Sequence, residues 1–520
     1  MLSAAGRDNG ARLQTRGKAG IITRMAKRTI AGQRAAASVL LVRKSLWQCG
    51  TAAPGYVKGE NTRSYSLCNT AEGGCATFSY TFSYRFSALL SALVFIGGSF
   101  AGEPLILDPN VPSTDLTGNI QVWGWNIAAA SLEKLVPPFN DIYPRVIVHV
   151  NMTGAYLQSR FLLSLSAGVG APDVSQLQLA EAARYSRTRR LTDLTPVARK
   201  YEKDFPASFW RNCVFEDKIY AIPWDMGPCA VFYKRELFAR YRIDPGSIET
   251  WDDYIAAGRL LLERSGGQTK MLQLSTGNME GLFEILLQQN AGQMFDDEGR
   301  IAVNSQQALR VMGVIQRILE AGINANITPY SHASYASMKS DLVATYPTAA
   351  WFGGTIKDYA PETKGDWGVF RLPAMERGGL RTSNLGGSVL VIPDQCPQKA
   401  AAWAFIEYTL CTREAQIEQY RNFDLFPAFL PTHGDPFFDE PDPFYGGQKV
   451  RRLFAQDIER IPPLNRTKDW FEALRYLTQS LSKWATNGMG PPEEFLRQLE
   501  DKLSRRLGRD IAPQAPLEGS

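Results

Sequence analysis

The chain has 520 residues, with 57 Lys and Arg, 52 Asp and Glu and 3 His, for a formal net charge of +5. Residues 1–101 carry 13 Lys and Arg against 3 Asp and Glu, and the remainder carries 44 against 49. That mildly acidic remainder excludes a general electrostatic basis for nucleic-acid binding, and so few histidines leave little room for a histidine-dependent mechanism.

Residues 1–84 contain scattered Arg and Gly with no sustained helical or strand period. They read as an N-terminal extension translated from a misassigned start. Phe86 to Phe100 is mostly apolar, follows Arg85, and is shorter than the roughly 20 residues that cross a bilayer. With Ser99 and Ala101 as small residues at the cleavage positions, residues 85–101 read as a signal peptide cut near Ala101. A short membrane anchor is the alternative. No Cys follows the cut, so no lipid anchor is indicated, and the periplasm is the expected compartment. Of 7 cysteines, Cys213, Cys229, Cys396 and Cys411 remain after cleavage; two disulfides and buried free thiols are both compatible with their spacing.

From Asn119 to Trp125 the residues alternate as a strand. Helical spacing follows over Leu132–Asn140, with an interruption expected at Pro137 and Pro138. Strand (145–150), helix (156–167) and strand (173–178) come next, the βαβ rhythm of a parallel sheet with ligand sites at the carboxyl ends of its strands. Helices are expected over 234–241, 251–264, 281–289 and 305–321, with Gly292 and Gly322 as stops. Strands return at 343–346, 367–370 and 388–392, followed by helices over 399–410 and 413–420. The last hundred residues read as helical apart from the Pro-, Phe- and Asp-rich passage 426–443.

Catalytic and metal motifs are missing. His149 reads as structural in its strand, Cys and His show no zinc spacing, and neither a Walker loop nor a Gly-x-Ser-x-Gly elbow occurs. Asp296-Asp297-Glu298-Gly299 lacks the ligand spacing of a calcium loop and reads as a solvated turn. No cofactor, metal or catalytic residue is expected. Instead, aromatics stand beside Gly, Asn and Asp at Trp123-Gly-Trp-Asn126, Trp224-Asp225, Trp351-Phe-Gly-Gly354 and Asn384-Leu-Gly-Gly387. A sugar needs this combination: its C–H faces lie on an aromatic ring, its hydroxyls need fixed partners, and glycine lets backbone amides approach.

Those segments stand in order with Gly170-Ala-Pro-Asp-Val174, Leu191-Thr-Asp-Leu-Thr195, Lys218 to Asp225, Phe232 to Phe238, Thr250-Trp-Asp-Asp253, Ala401 to Ile406 and Glu440 to Gly447. The ordered set, over nearly all of 119–507, resembles the family 1 extracellular solute-binding proteins of ABC sugar importers, with lactose- or arabinose-type binders as the nearest subfamily. The resemblance implies an α/β type II periplasmic binding protein fold, two lobes joined by a hinge around a ligand cleft. It places 102–227 and 365–425 in an N-terminal lobe, 228–364 and 426–510 in a C-terminal lobe, and 511–520 in a disordered tail. It also implies ligand contacts from Trp125, Asn126, Gln176, Gln178, Trp224, Asp225, Trp351, Gly353, Asn384, Gly386 and Gly387, with Trp224 and Trp351 as stacking platforms and Asp225 and Asn384 as hydroxyl partners. Trp251 and Trp403 look structural. The partners implied are a sugar and the permease subunits with their ATPases, the protein itself being a monomer. A secreted carbohydrate-active hydrolase and a chemoreceptor-serving binder are the rival readings.

Overall fold

In the computed structural model, which describes residues 65–69, 74–78 and 113–513, the chain divides into two units, Met1–Gly98 and Ser99–Ser520. In the first, strands Tyr65–Asn69 and Gly74–Phe78 pair antiparallel. The expected signal peptide at 85–101 lies outside the described residues.

Two sheets organise the second unit, and they share one strand order. In the six-stranded sheet, Gly118–Gly124 lies parallel between Val146–Met152 and Val174–Gln178, and Ser388–Val391 inserts antiparallel between Val174–Gln178 and Ile222–Met226. Phe426–Pro427 closes the edge against Ile222–Met226. In the five-stranded sheet, Lys270–Gln273 lies parallel between Asn324–Ala325 and Val343–Ala349. There Cys229–Lys234 is the antiparallel insert, between Val343–Ala349 and Trp367–Arg371. Each lobe thus receives one strand that the chain supplies only on crossing from the other, so neither sheet is complete without the exchange.

Pairing redraws the expected boundaries. Trp367–Arg371, assigned from sequence to the N-terminal lobe, belongs to the second sheet, because its backbone pairs with Cys229–Lys234. The crossing back runs from Leu372 to Gly387. Phe426–Pro427, assigned to the C-terminal lobe, pairs in the first sheet. Beyond it the aromatic passage bridges the lobes. Phe437 and Phe438 pack on Tyr420 at 5.6 and 5.5 Å between ring centroids, whereas Tyr445 and Phe454 pack on Phe232 at 6.2 and 5.7 Å. At the far end, Ile511 bridges Ile301 and Ala512 N–H donates to the Ile301 carbonyl at 2.8 Å, so ordered backbone pairing reaches into the expected tail.

The helices follow the apolar spacing, with one instructive departure. Asn126–Ile142 is a single helix that runs through Pro137 and Pro138. Each interior proline costs about 3 kcal/mol. Ala128, Ala129, Leu132, Leu135 and Phe139 bury the opposite face, and Glu133 and Lys134, whose carbonyls lose their i+4 donors, are exposed, where water can take the bonds. Trp251–Arg264 starts on a capping box in which Thr250 and Asp253 satisfy each other's backbone N–H. Gln306–Glu320 is capped by Ser305 and followed by Gly322 at φ +60°. After Glu280–Gln289 the left-handed residue is Ala291, not the expected Gly292. Helices Trp470–Thr486 and Pro492–Leu507 close the second lobe through Leu477, Leu481, Leu496, Leu499 and Leu503. Trp251 and Trp403 are buried, in keeping with their structural reading, and His149 stands exposed on the edge strand Val146–Met152. The four cysteines Cys213, Cys229, Cys396 and Cys411 are buried free thiols.

Candidate ligand-binding site

The two shorter crossings between lobes lie side by side. Ile222–Met226 passes into Cys229–Lys234 through only Gly227 and Pro228, and Pro228 bridges antiparallel to Asn384 on the return strand. Leu385 N–H donates to the Gly227 carbonyl and Cys229 N–H to the Ser383 carbonyl, both at 2.9 Å. Asn384, fully buried, clasps the ribbon: its Oδ1 accepts from Gly227 N–H and its Nδ2 donates to the Gly386 carbonyl, each at 2.9 Å. A Cβ on Gly227 would collide with the Leu385 carbonyl, so only glycine lets the strands approach.

Beside this hinge lies a cavity of about 340 Å³. The first lobe contributes Gln178 and Ala180, and the hinge contributes Leu385, Gly386 and Gly387. The second lobe supplies the ends of its strands at 272–274 and 346–348, the start of the helix Glu280–Gln289, and Tyr330, Trp351 and Phe352. Arg466, from the loop before the helix Trp470–Thr486, and Trp470, Phe471 and Leu474 from that helix complete the wall. The site therefore forms at the carboxyl end of Val174–Gln178 and between domains, as open α/β sheets require.

Trp351 is half-buried, and its Nε1–H donates to the Leu385 carbonyl at 3.0 Å, which fixes the indole against the hinge. Tyr330 lies 6.3 Å from it between ring centroids and is tilted by 31°. Tyr330 holds φ +60°, a conformation a bulky residue adopts only where its surroundings impose it. Tyr330 is 59% exposed and Phe471 37%, leaving aromatic surface open at the cavity.

Four of the eleven residues expected from sequence line this cavity: Gln178, Trp351, Gly386 and Gly387. The other seven lie elsewhere. Trp224 is 1% exposed, with Nε1 donating to Gln419 Oε1 at 2.6 Å, so the expected stacking platform is a core side chain. Its strand is flanked on both sides, and the face that carries Trp224 packs toward the helix Arg413–Phe423. Gln176 is fully buried, accepting from Trp125 N–H and donating to Ser388 Oγ, both at 3.0 Å. Trp125 is half-buried, and Asn126 is exposed as the first residue of its helix. Gly353 lies under Tyr445, whose hydroxyl would stand 2.5 Å from a Cβ there. Asn384 is the hinge clasp. Asp225 is buried beside Ser388, and its Oδ1 has no hydrogen-bond partner; burial lifts its pKa to about 6, opposed by hydrogen bonds from Ser388.

Tyr330, Arg466, Trp470, Phe471 and the acidic pair Glu280 and Glu284 also line the cavity and were not singled out from sequence. Their local signals are faint: adjacent aromatics at a helix start for Trp470-Phe471, and a Pro-Tyr step in a loop for Tyr330. Burial raises the Glu284 pKa even though Arg466 lies beside it. Among the described residues, no group of three or more His, Cys, Asp or Glu is placed to hold a metal ion.

A two-lobed α/β body with exchanged strands, a ribbon hinge and an aromatic-polar cavity beside it defines a solute-binding protein. The bacterial extracellular solute-binding protein model matches residues 122–410, and the chain belongs to that family. It is 25% identical over 423 residues to an arabinooligosaccharide-binding protein of Halalkalibacterium halodurans, covering 77% of this chain and 92% of that one. To a lactose-binding protein of Rhizobium radiobacter it is 22% identical over 419 residues, covering 75% and 93%. Among solved structures, the ABC transporter associated binding protein from B. animalis subsp. lactis Bl-04 in complex with β-1,6-galactobiose superposes with a TM-score of 0.64 at 23% identity, covering 76% of this chain and 100% of that one. The galacto-N-biose-/lacto-N-biose I-binding protein of Bifidobacterium longum gives 0.62 at 18% identity, covering 76% and 99%.

Proposed function

We propose that this protein captures a sugar or short oligosaccharide in the cavity beside the hinge and delivers it to the permease subunits of an ABC importer. The observation that carries this reading is the lining: Trp351, Tyr330 and Phe471 offer ring faces, while Gln178, Asn278, Ser334 and the Gly386-Gly387 backbone offer polar partners. Its volume falls within the roughly 300–1,000 Å³ of small-molecule sites. Its arabinooligosaccharide-binding and lactose-binding relatives support the substrate class. The ligand touches both lobes when they close and one when they part, so its differential affinity drives closure. Residues 85–101 direct export to the periplasm, where the protein acts as a monomer without catalysis.

A thermal-shift and calorimetric screen of arabino-oligosaccharides, β-1,6-galactobiose, lactose and their monosaccharides tests this. A ligand at a hundred times its Kd stabilises the folded state by about 2.7 kcal/mol. Stabilisation by at least one saccharide, recovered intact, is expected. No response to any saccharide refutes the substrate class, and release of monosaccharide refutes the non-catalytic reading.

A further inference from the structure

Stacking does not account for the charged part of the cavity wall. Glu280 and Glu284 stand one turn apart on the helix Glu280–Gln289, and both line the cavity with Arg466. Asn278 Nδ2 donates to Glu280 Oε1 at 2.5 Å, whereas Glu280 Oε2 is buried with no partner. Arg466 Nη2 pairs with Glu284 Oε1 at 3.0 Å, and the Arg466 side chain is only 3% exposed. The Arg466 guanidinium lies 5.2 Å from the Trp470 ring centroid, and its Nε is buried with no acceptor.

One orphan acceptor and one orphan donor therefore belong to side chains that line the same cavity. Native proteins rarely leave such groups unmatched, so each asks for a partner that the chain does not supply. A hydroxyl both donates and accepts, and neighbouring hydroxyls of a sugar ring can meet a carboxylate oxygen and a guanidinium N–H together. Charge narrows the choice further. Two carboxylates against one guanidinium leave this wall net negative, and a like charge brought against it in buried surroundings is disfavoured. We infer that Glu280 and Arg466 form a hydroxyl-reading subsite that admits neutral saccharides and rejects uronates and sugar phosphates. This rests on the saccharide reading of the cavity.

The test is calorimetry on the full chain with galactobiose and arabinobiose as neutral probes and digalacturonate as the acidic one. Wild type binds a neutral probe at least a hundredfold more tightly than digalacturonate. E280A weakens the neutral probe tenfold or more with an unchanged circular dichroism spectrum. E280Q, which removes the charge and keeps the shape, shrinks the discrimination against digalacturonate. Unchanged neutral binding by E280A, or digalacturonate bound as tightly as the neutral probes, overturns the subsite while leaving the saccharide reading standing. Failure of wild type to bind any of the three, or any saccharide of the wider screen, overturns both.

Discussion

Trp224 and Trp351 look equivalent as sequence, each an indole beside a polar residue or glycine, and the fold assigns them opposite duties. Trp224→Ala removes a side chain that is 1% exposed. Truncating a core aromatic costs about 3–5 kcal/mol, mostly lost packing. The lost hydrogen bond adds to this, because buried Gln419 Oε1 is left only Ser131 Oγ at 3.3 Å, whose single proton also serves the Ala128 carbonyl at 2.8 Å. At about 2.1 cal/mol/K per residue, and for roughly 200 to 400 cooperatively unfolding residues, the apo melting point falls by about 4 to 12 °C. Saccharide affinity measured well below that temperature stays within a few-fold of wild type. Trp351→Ala inverts the pattern. The residue is half-buried, so apo stability falls by about 1 kcal/mol, while losing a ring face worth about 2 kcal/mol weakens binding roughly 30-fold. Differential scanning fluorimetry without ligand, followed by calorimetry at 20 °C, reads both quantities. A Trp224→Ala protein with a wild-type apo melting point and no saccharide binding would refute this reasoning and return the indole to the ligand.

Three further outcomes are expected. Gly227→Ala forces the hinge strands apart and lowers both stability and yield, whereas Gly434→Ala, where a Cβ meets nothing, leaves both unchanged; thermal melts of the two check this. Asp225 has a folded pKa of about 6, above its unfolded value, so its contribution to stability is complete below about pH 4 and is lost as pH rises through 6. The difference between wild-type and Asp225→Asn urea unfolding free energies should change by up to about 3 kcal/mol across that window and be flat above pH 7. Arg211, on the helix Ala207–Cys213 of the first lobe, pairs with Asp297 of the second, and both side chains are largely exposed. Such pairs are worth about 0–1 kcal/mol, so Arg211→Ala should weaken saccharide binding by less than about fivefold, chiefly through faster dissociation in stopped-flow traces.

Much of the fold was legible in local pattern. The alternation at 119–125 and 145–150 and the apolar spacing of 251–264 and 399–410 each carry their own physics within a few residues. Misreadings arose where distant chain decides. Pro137 and Pro138 argue for a break, yet the buried face from Ala128 to Phe139 keeps the helix whole. The solvated turn expected at Asp296-Asp297 is what forms, but only folding places Asp297 against Arg211 of the other lobe.

The site divides along the same line. Composition and motif order, taken alone, determined the class of protein, because an indole beside Gly, Asn or Asp states a chemistry whatever its position. Which indole is left open at the cavity was decided by strand exchange. The strand carrying Trp224 is enclosed between Phe426–Pro427 and Ser388–Val391, two segments that arrive some 160 to 200 residues later. Trp351, at the start of its helix, is left half-open beside Leu385 and Tyr330. Burial is a property of neighbours, and these neighbours meet only when the chain has crossed between lobes and returned.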